Sequence, residues 1–257
     1  MKIHLHSVQS DIVWEDKQAN FHRARELVLR SEPLPGSLVV LPEMFATGFS
    51  RNLDITAESS DGPTSEFATQ LAAETQCAVM AGLVLRSAEG THNVSLTISP
   101  EGSTLCHYEK RFPFSLGGES AVHAAGTKTT SFQWQGVRIA PLVCYDLRFP
   151  EVTRDAARQG VDLFVCIASW PVKRVQHWVT LLQARAIENL AWVAGVNRTG
   201  TDPDFTYPGR SLVADPHGVI IADGSDREQV LSAVIDTEVS SGWRKQFPAL
   251  SDAGIPE

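Results

Sequence analysis

The sequence has few cysteines, and none of them is arranged to bind a metal or to form a disulfide framework. Cys77, Cys106, Cys144 and Cys166 are scattered singly along 257 residues, with no C-x-x-C pair and no Cys/His cluster at zinc spacing. In a reducing compartment such cysteines are free thiols, so a disulfide scaffold, a structural zinc site and metal catalysis are disfavoured. We therefore expect neither a metal nor a cofactor.

Long hydrophobic segments and runs of basic residues are also missing. The first residues, MKIHLHSVQSD, contain no apolar core of signal-peptide length, and no later segment approaches the length of a membrane span. The net charge is −8, and the 22 lysines and arginines form no basic run. We therefore expect a cytoplasmic protein that binds neither nucleic acid nor an anionic membrane.

The chain lacks any linker, internal repeat or low-complexity segment, which favours a single domain over residues 1–257. Between turn signals, apolar and alternating runs predict strands, beginning with IHLHSVQ at residues 3–9. Helical periodicity appears in four segments: residues 17–30, 63–76, 150–159 and 176–190.

Many of the predicted strands are joined in antiparallel hairpins. Pro100-Glu101-Gly102 and Pro216-His217-Gly218 are typical turn sequences between such strands. Helices combined with hairpins predict an α/β fold in which two sheets pack together with helices outside. Residues 243–257 are rich in turn formers, and we expect them to extend over a neighbouring surface.

Cys144 lies where a predicted strand, VRIAPLV, meets a helix that opens with Pro150. On such a strand-to-helix turn a thiol projects from the strand end, and the backbone N–H of Tyr145 faces the position of a tetrahedral oxyanion. The adjacent helix start is expected to favour the thiolate. The alternative is an inert thiol buried at the end of a strand.

Glu43 and Lys110 also follow predicted strands directly. The contexts LPEMFATGF, YEKRFPF and LVCYDLRFPE around Glu43, Lys110 and Cys144 together resemble the nitrilase superfamily of carbon–nitrogen hydrolases. The resemblance covers essentially the whole chain, in order and without large insertions. It implies a four-layer α-β-β-α sandwich of the nitrilase type and a catalytic Glu-Lys-Cys triad.

The resemblance assigns a role to each of these residues. Cys144 becomes the nucleophile, Glu43 the general base, and Lys110 a stabiliser of the oxyanion beside the Tyr145 N–H. Glu119, in the irregular GGES loop, matches a second glutamate that many members place close to the triad. Taken alone, Glu43, Lys110 and Glu119 could each be a solvated surface charge.

Two further segments, SWPVKRVQHW and RKQFPALSDAG, resemble the omega-amidase group, which hydrolyses the terminal amide of 2-oxo acids such as 2-oxoglutaramate. Such substrates carry a carboxylate, for which a planar guanidinium is the natural partner. Arg148 and Arg174 are therefore candidate substrate-binding residues, with Trp170 as a pocket wall. Alternatively, Arg148 forms a structural ion pair and Arg174 is a surface charge.

A second group of polar and aromatic residues is expected to pack rather than to react, because several of its members share one helical face. These residues are His177, Trp178, Arg185, Glu188, Asn189 and Asn197.

The predicted function is hydrolysis of a small-molecule amide, with 2-oxoglutaramate and 2-oxosuccinamate as candidate substrates. An N-carbamoyl-amide hydrolase or a nitrilase of the same fold remains an alternative, because triad chemistry does not identify the acyl group. A catalytically silent scaffold is a further alternative. The resemblance also implies a homodimer. Apolar residues on the helices at 150–159 and 176–190, and a C-terminal tail that could cross to a partner, offer a physical reason for a two-fold pair.

Overall fold

The computed structural model describes residues 1–255 and contains fifteen strands within that range. In chain order they are β1 (Lys2–Gln9), β2 (Leu38–Val40), β3 (Ala57–Glu58), β4 (Ala78–Ser87), β5 (Gly90–Ile98), β6 (Thr104–Glu109), β7 (Phe132–Trp134), β8 (Val137–Val143), β9 (Leu163–Ala168), β10 (Trp192–Asn197), β11 (Thr199–Thr201), β12 (Thr206–Pro208), β13 (Leu212–Ala214), β14 (Ile220–Asp223) and β15 (Gln229–Asp236).

Seven α-helices lie among these strands in the described range. They are α1 (Lys17–Arg30), α2 (Leu53–Thr56), α3 (Pro63–Thr75), α4 (Pro150–Ala157), α5 (Val175–Asn189), α6 (Thr237–Gln246) and α7 (Ala249–Asp252). The four helices predicted from periodicity correspond to α1, α3, α4 and α5. Pro63 and Pro150 each occupy the first turn of their helix, where the missing N–H costs no hydrogen bond.

Two mixed sheets form the centre of the structure. The first has the strand order β15-β1-β2-β4-β5-β6, with β3 paired to β4, and the second has the order β14-β13-β10-β9-β8-β7. In the first sheet β2 runs parallel to β1 and β4, and in the second β9 runs parallel to β8 and β10. The remaining strands, β11 and β12, form a separate hairpin.

Three layers of buried apolar residues separate four layers of secondary structure. One cluster joins side chains of both sheets, including Leu5 and Val40 from the first and Val143 and Val165 from the second. A second cluster packs α1 and α3 on the outer face of the first sheet, and a third packs α4 and α5 on the second. The structure is therefore an α-β-β-α sandwich, and the fold predicted from sequence is confirmed.

The carboxyl ends of the parallel strands bring the functional residues together. Glu43 lies three residues beyond β2, Cys144 directly follows β8, and Ser169 directly follows β9. Loops at the carboxyl ends of strands are where α/β folds commonly display functional groups. Lys110 reaches the same region from the end of β6.

As far as residue 255, the C-terminal segment lies over the outer helical layer of its own chain, and it is largely helical where the sequence predicted turns. Residues 237–246 form α6, and Leu250 and Ile255 are buried in the cluster that contains α4 and α5. Arg244 donates hydrogen bonds to the carbonyls of Leu190 and Val161. The tail packs on its own chain because these apolar side chains cover the outer layer.

Candidate active site

Cys144 lies on a tight turn at the end of β8. Its φ of +48° is in the left-handed region, which is strained for a residue with a Cβ. Residues 144–148 form a 3-10 turn, and α4 begins only at Pro150. The strand-to-helix elbow is thus present, but the expectation that an α-helix starting at the thiol favours thiolate was wrong, because this turn intervenes. The residue as a whole is partly exposed.

Glu43, Lys110 and Glu119 form a buried cluster next to this turn. Lys110 Nζ lies 2.9 Å from Glu43 Oε1 and 2.7 Å from Glu119 Oε2, and each of the three side chains is at most 1% exposed. A charge buried this completely is costly unless it is paired and hydrogen-bonded. The solvated-loop interpretations of all three residues are therefore wrong.

Two residues that sequence reasoning missed donate further hydrogen bonds to the carboxylates. Asn93 Nδ2 donates to Glu43 Oε1 at 2.8 Å and to Glu119 Oε1 at 2.7 Å, so one amide bridges both carboxylates. The backbone N–H of Ser169 donates to Glu43 Oε2 at 2.8 Å. Asn93 gives no local signal, because it lies inside the predicted strand HNVSLTIS, and Ser169 acts only through its backbone.

The cluster favours the charged forms of Lys110 and Glu119. Burial disfavours the ammonium of Lys110, but the carboxylates of Glu119 and Glu43 outweigh that penalty and hold the pKa of Lys110 well above its usual range. Burial likewise opposes ionisation of Glu119, yet Lys110 lowers its pKa. A cationic lysine is therefore fixed beside two carboxyl groups.

The same charged groups also act on the pKa of the Cys144 thiol. Burial raises the pKa of Cys144 well above its ordinary value, and the charge of Glu43 raises it further, while Lys110 partly opposes both. At neutral pH the sulfur therefore carries its proton in the free protein. A nucleophilic role for this sulfur requires a base that removes the proton as the reaction proceeds.

Cys144 opens into a pocket of about 390 Å³ with largely aromatic walls. The aromatic residues that line it are Phe49, Phe114, Tyr145, Trp170, Phe205 and Tyr207. Phe205 flanks β12 and Tyr207 lies on it, and this hairpin was not predicted, because its segment TDPDFTYPGR is dominated by turn formers.

Arg148 and Arg174 also line this pocket, and both guanidinium groups lie over aromatic rings. Arg148 is 4.8 Å from the ring centre of Trp170, and Arg174 is 5.3 Å from that of Phe114. Arg148 Nη2 is 3.2 Å from His177 Nδ1. Across residues 1–255 neither arginine forms a salt bridge, so the alternative of an ion pair for Arg148 is wrong. Both cations are free to meet an anion in the pocket.

Most of the residues expected to pack do so, but His177 is exposed and contacts Arg148, so the packing prediction for His177 was wrong. Trp178 is buried and donates from its indole to Arg210 O, while Arg185 donates to Leu147 O and contacts Glu188. Asn197 Nδ2 donates to the carbonyls of Trp170 and Gly209. These contacts support the walls of the pocket from behind.

The described residues contain neither a cluster of metal-binding side chains nor a helix that could span a membrane. Over residues 1–255, no group of three or more His, Cys, Asp or Glu side chains is placed to hold a metal ion. No helix in that range has the length and apolar character needed to cross a membrane.

Comparison with known sequences identifies relatives along nearly the full chain. The carbon-nitrogen hydrolase family model matches residues 5–245. Omega-amidase YafV of Yersinia enterocolitica is 38% identical over 249 residues, which are 95% of this chain and 94% of that protein. The 2-oxoglutaramate amidase of Bacillus subtilis (strain 168) is 33% identical over 254 residues, with 98% of each protein covered.

Solved structures agree with this result. XC1258 from Xanthomonas campestris, a CN-hydrolase superfamily protein with an arsenic adduct in its active site, superposes with a TM-score of 0.91 at 38% identity, covering 98% of this chain and 97% of that one. Nit3 of Saccharomyces cerevisiae, a nitrilase-superfamily member, superposes with a TM-score of 0.86 at 25% identity, covering 96% and 94%. The chain therefore belongs to the carbon–nitrogen hydrolase family of the nitrilase superfamily, whose members hydrolyse carbon–nitrogen bonds other than peptide bonds.

Proposed function

We propose that this protein is an omega-amidase that hydrolyses the terminal amide of small 2-oxo dicarboxylic acid monoamides, such as 2-oxoglutaramate and 2-oxosuccinamate. The observation that carries the proposal is a thiol beside a buried Glu-Lys-Glu cluster, in a pocket that also contains two unpaired arginines among the described residues. The identity with a 2-oxoglutaramate amidase over nearly the full length supports the same substrate class.

In the proposed acylation, the Cys144 sulfur attacks the amide carbon while Glu43 accepts the thiol proton. Lys110 and the Tyr145 N–H stabilise the oxyanion of the tetrahedral intermediate. Glu43 then gives the proton to the nitrogen, ammonia leaves, and a thioester remains on Cys144. The raised pKa of the thiol supports this assignment, because a protonated sulfur needs a base at the moment of attack.

Deacylation follows the same course with water. Glu43 removes a proton from a water molecule whose oxygen attacks the thioester carbon, and the proton returns to sulfur as the acid is released. Glu119 supports both steps, since its carboxylate helps to hold Lys110 charged and in place. Amide hydrolysis is thereby divided into two easier steps.

Arg148 and Arg174 are proposed to bind the carboxylate at the far end of the substrate, and Trp170 to form a wall. Stacking on Trp170 and Phe114 limits the motion of the two guanidinium groups, so less side-chain entropy is lost on binding. A substrate without a distal carboxylate would leave both cations unpaired inside a largely aromatic pocket. The pocket therefore favours an anionic amide over a neutral nitrile.

The test is ammonia release from a matched panel at equal concentration: 2-oxoglutaramate, 2-oxosuccinamate, an N-carbamoyl amino acid and a simple nitrile. We expect kcat/KM to be highest for one of the two 2-oxo acid amides. Arg148→Met and Arg174→Met should each raise KM for these amides and affect the nitrile little. Preference for the N-carbamoyl compound or the nitrile would contradict the proposed substrate.

We further propose that residues 1–257 form one domain and that two copies assemble as a homodimer in the cytoplasm. Ile187 supports the dimer: it is a half-exposed apolar residue on α5, next to the turn at Gly218 and the exposed Val219. A two-fold pair would cover such a patch on both copies at once.

A further inference from the structure

Asp146 is a buried carboxylate to which the proposed mechanism gives no role. It lies in the turn that carries Cys144 and is fully inaccessible to solvent. Asp146 Oδ2 accepts hydrogen bonds from Tyr108 Oη at 2.7 Å and from the Val143 N–H at 3.1 Å, and Oδ1 accepts from the Phe112 N–H at 2.9 Å. Three donors converge on one side chain.

These donors flank the two groups that the mechanism must hold together. Tyr108 precedes Lys110 by two residues, and Phe112 follows it by two. Val143 precedes Cys144 directly, and Asp146 follows Cys144 by two residues. Asp146 is thus hydrogen-bonded to one residue that precedes Lys110 and one that follows it in the sequence. It also accepts a hydrogen bond from the backbone N–H of the residue that precedes Cys144.

We propose that Asp146 is a positioning residue that fixes the separation of the Cys144 thiol and the Lys110 ammonium. The inference rests on the proposed function, since it gives that separation a catalytic meaning. The two groups come from different sheets: Lys110 follows β6 of the first sheet, and Cys144 follows β8 of the second. A hydrogen-bonded carboxylate holds this junction more tightly than apolar packing, because its bonds are directional.

The ionisation of Asp146 fits the role. Burial raises its pKa to about 6, against the lowering effect of Tyr108, Lys110 and the two backbone N–H donors. At neutral pH the carboxylate prevails, and it can accept all three hydrogen bonds. The left-handed backbone of Cys144 needs such support, since strained conformations persist only where their surroundings fix them.

The test compares Asp146→Asn and Tyr108→Phe with Glu58→Gln. An asparagine cannot serve all three donors, because its Nδ2 is itself a donor. Tyr108→Phe removes a single hydrogen bond and keeps the ring, so it covers the case in which Asp146→Asn fails to fold. Glu58 is the matched control: a buried carboxylate of the first sheet that accepts hydrogen bonds from Lys17 and Thr64.

The first readout is the pH at which Cys144 reaches half its maximal rate of alkylation by iodoacetamide. The charges that act on this thiol are Glu43, Lys110 and Glu119, with Cys166 as a further titratable neighbour. Lys110 lowers the thiol pKa. If Asp146 no longer holds Lys110 close to Cys144, the midpoint of alkylation should therefore move to higher pH, by about one pH unit. This readout needs no substrate, so it separates failure of this inference from failure of the proposed function.

The second readout is turnover of the amide. A misplaced lysine should lower kcat by about tenfold or more with little change in KM, because the substrate carboxylate is bound elsewhere. Glu58→Gln should lower thermal stability and leave both readouts unchanged. If folded Asp146→Asn or Tyr108→Phe protein loses stability but keeps the wild-type midpoint and kcat, Asp146 is only structural and the proposal is overturned.

Discussion

At the scale of single residues, Cys144 lacks the usual means of activation: neither a helix terminus nor a lowered pKa activates it. Burial and Glu43 both favour the protonated thiol, and Lys110 is the opposing charge. Activation is therefore proposed to occur during the reaction, by proton transfer to Glu43, rather than in the resting protein. This distinguishes the site from those that store a stable thiolate.

The two carboxylates are predicted to have separable roles. Glu43→Gln should abolish acylation, with a loss of turnover of about 10²-fold or more, because no base remains to remove the thiol proton. Glu119→Gln should still form the thioester but turn over slowly, since it weakens the support of Lys110 while Glu43 remains as the base. Rapid acid quench followed by mass spectrometry measures the thioester in each variant. Equal loss of acylation in both would contradict this distinction.

The pH dependence of thiol reactivity gives a second prediction at this scale. The pKa of Cys144 is raised well above its ordinary value, so its thiolate forms only at alkaline pH. The rate of alkylation of the free protein should therefore increase only when the pH is well above 9. Glu43→Gln removes a charge that raises this pKa, and should shift the alkylation midpoint to lower pH even though turnover is lost. Lys110→Met should shift it to higher pH. A wild-type midpoint near neutrality would contradict the account.

The motif contexts of Glu43, Lys110 and Cys144, and the match of Glu119 to a second glutamate, predicted that these four residues lie close together, and the structure places them so. The sequence did not reveal Asn93, since its contribution depends on strand β5 bringing its amide between two carboxylates that are distant in sequence. Such tertiary hydrogen bonds leave no local pattern.

At the scale of elements, strand β4 determines where Glu43 can lie. Gly82 packs against the loop after β2: a Cβ at Gly82 would lie 2.6 Å from Glu43 Cα and from Pro42 O. Contacts this short to backbone atoms cannot be relieved by rotating a side chain. The glycine is therefore required for the close approach of this loop to the sheet.

We expect Gly82→Ala to lower stability by about 1–3 kcal/mol and also to lower kcat, because the added methyl group must displace the backbone at Glu43. Gly242→Ala is the matched control: it lies within α6, has no atom within 4 Å of its added Cβ, and should be neutral or stabilising. Thermal unfolding and steady-state kinetics of both variants measure the effects. Wild-type kcat in Gly82→Ala would contradict this function of the glycine.

Most elements were predictable because their periodicity is strong, whereas α6 and the β11–β12 hairpin were not. The α6 segment, TEVSSGWRKQ, contains Thr, two Ser and Gly, which have low helix propensity. Its helix is stabilised instead by tertiary contacts, such as those of Arg244 with Leu190 and Val161. Propensity alone underestimates a helix of this kind.

At the scale of the whole molecule, the packing of the C-terminal tail decides how association should be tested. Truncation after Gly242 would remove Leu250 and Ile255 from the core of the same chain, so it would destabilise the protomer itself. A surface substitution in the full-length chain avoids this problem. The two outer helical layers offer one candidate interface residue and one control.

Ile187→Glu should convert a dimer to a monomer in light scattering and should reduce turnover, because α5 packs against the turn that carries Cys144 through Arg185 and Leu147. The control is Leu29→Glu: Leu29 is 41% exposed on α1, in the opposite outer layer, and Ile187 is 53% exposed. Leu29→Glu should remain dimeric and active. A fully active wild-type monomer over the micromolar range would refute the dimer.

The two-sheet architecture was predictable from the many hairpins between helical segments, but the mutual placement of the sheets was not. The inter-sheet cluster joins residues as distant in sequence as Leu5 and Val165, and no local pattern specifies such a pairing. For the same reason, the contacts of Asp146 with Tyr108 and Phe112 were visible only in the folded chain.

The central claim, a thioester on Cys144, is tested most directly by acid quench of the enzyme during turnover of 2-oxoglutaramate, followed by peptide mass spectrometry. The account predicts an acyl adduct on the peptide that contains Cys144, which disappears as substrate is exhausted. Cys144→Ala should fold normally, show no adduct and lose about 10³-fold or more in turnover, and Cys144→Ser should be nearly inactive. Wild-type ammonia release by Cys144→Ala, or an adduct on another residue, would contradict the account.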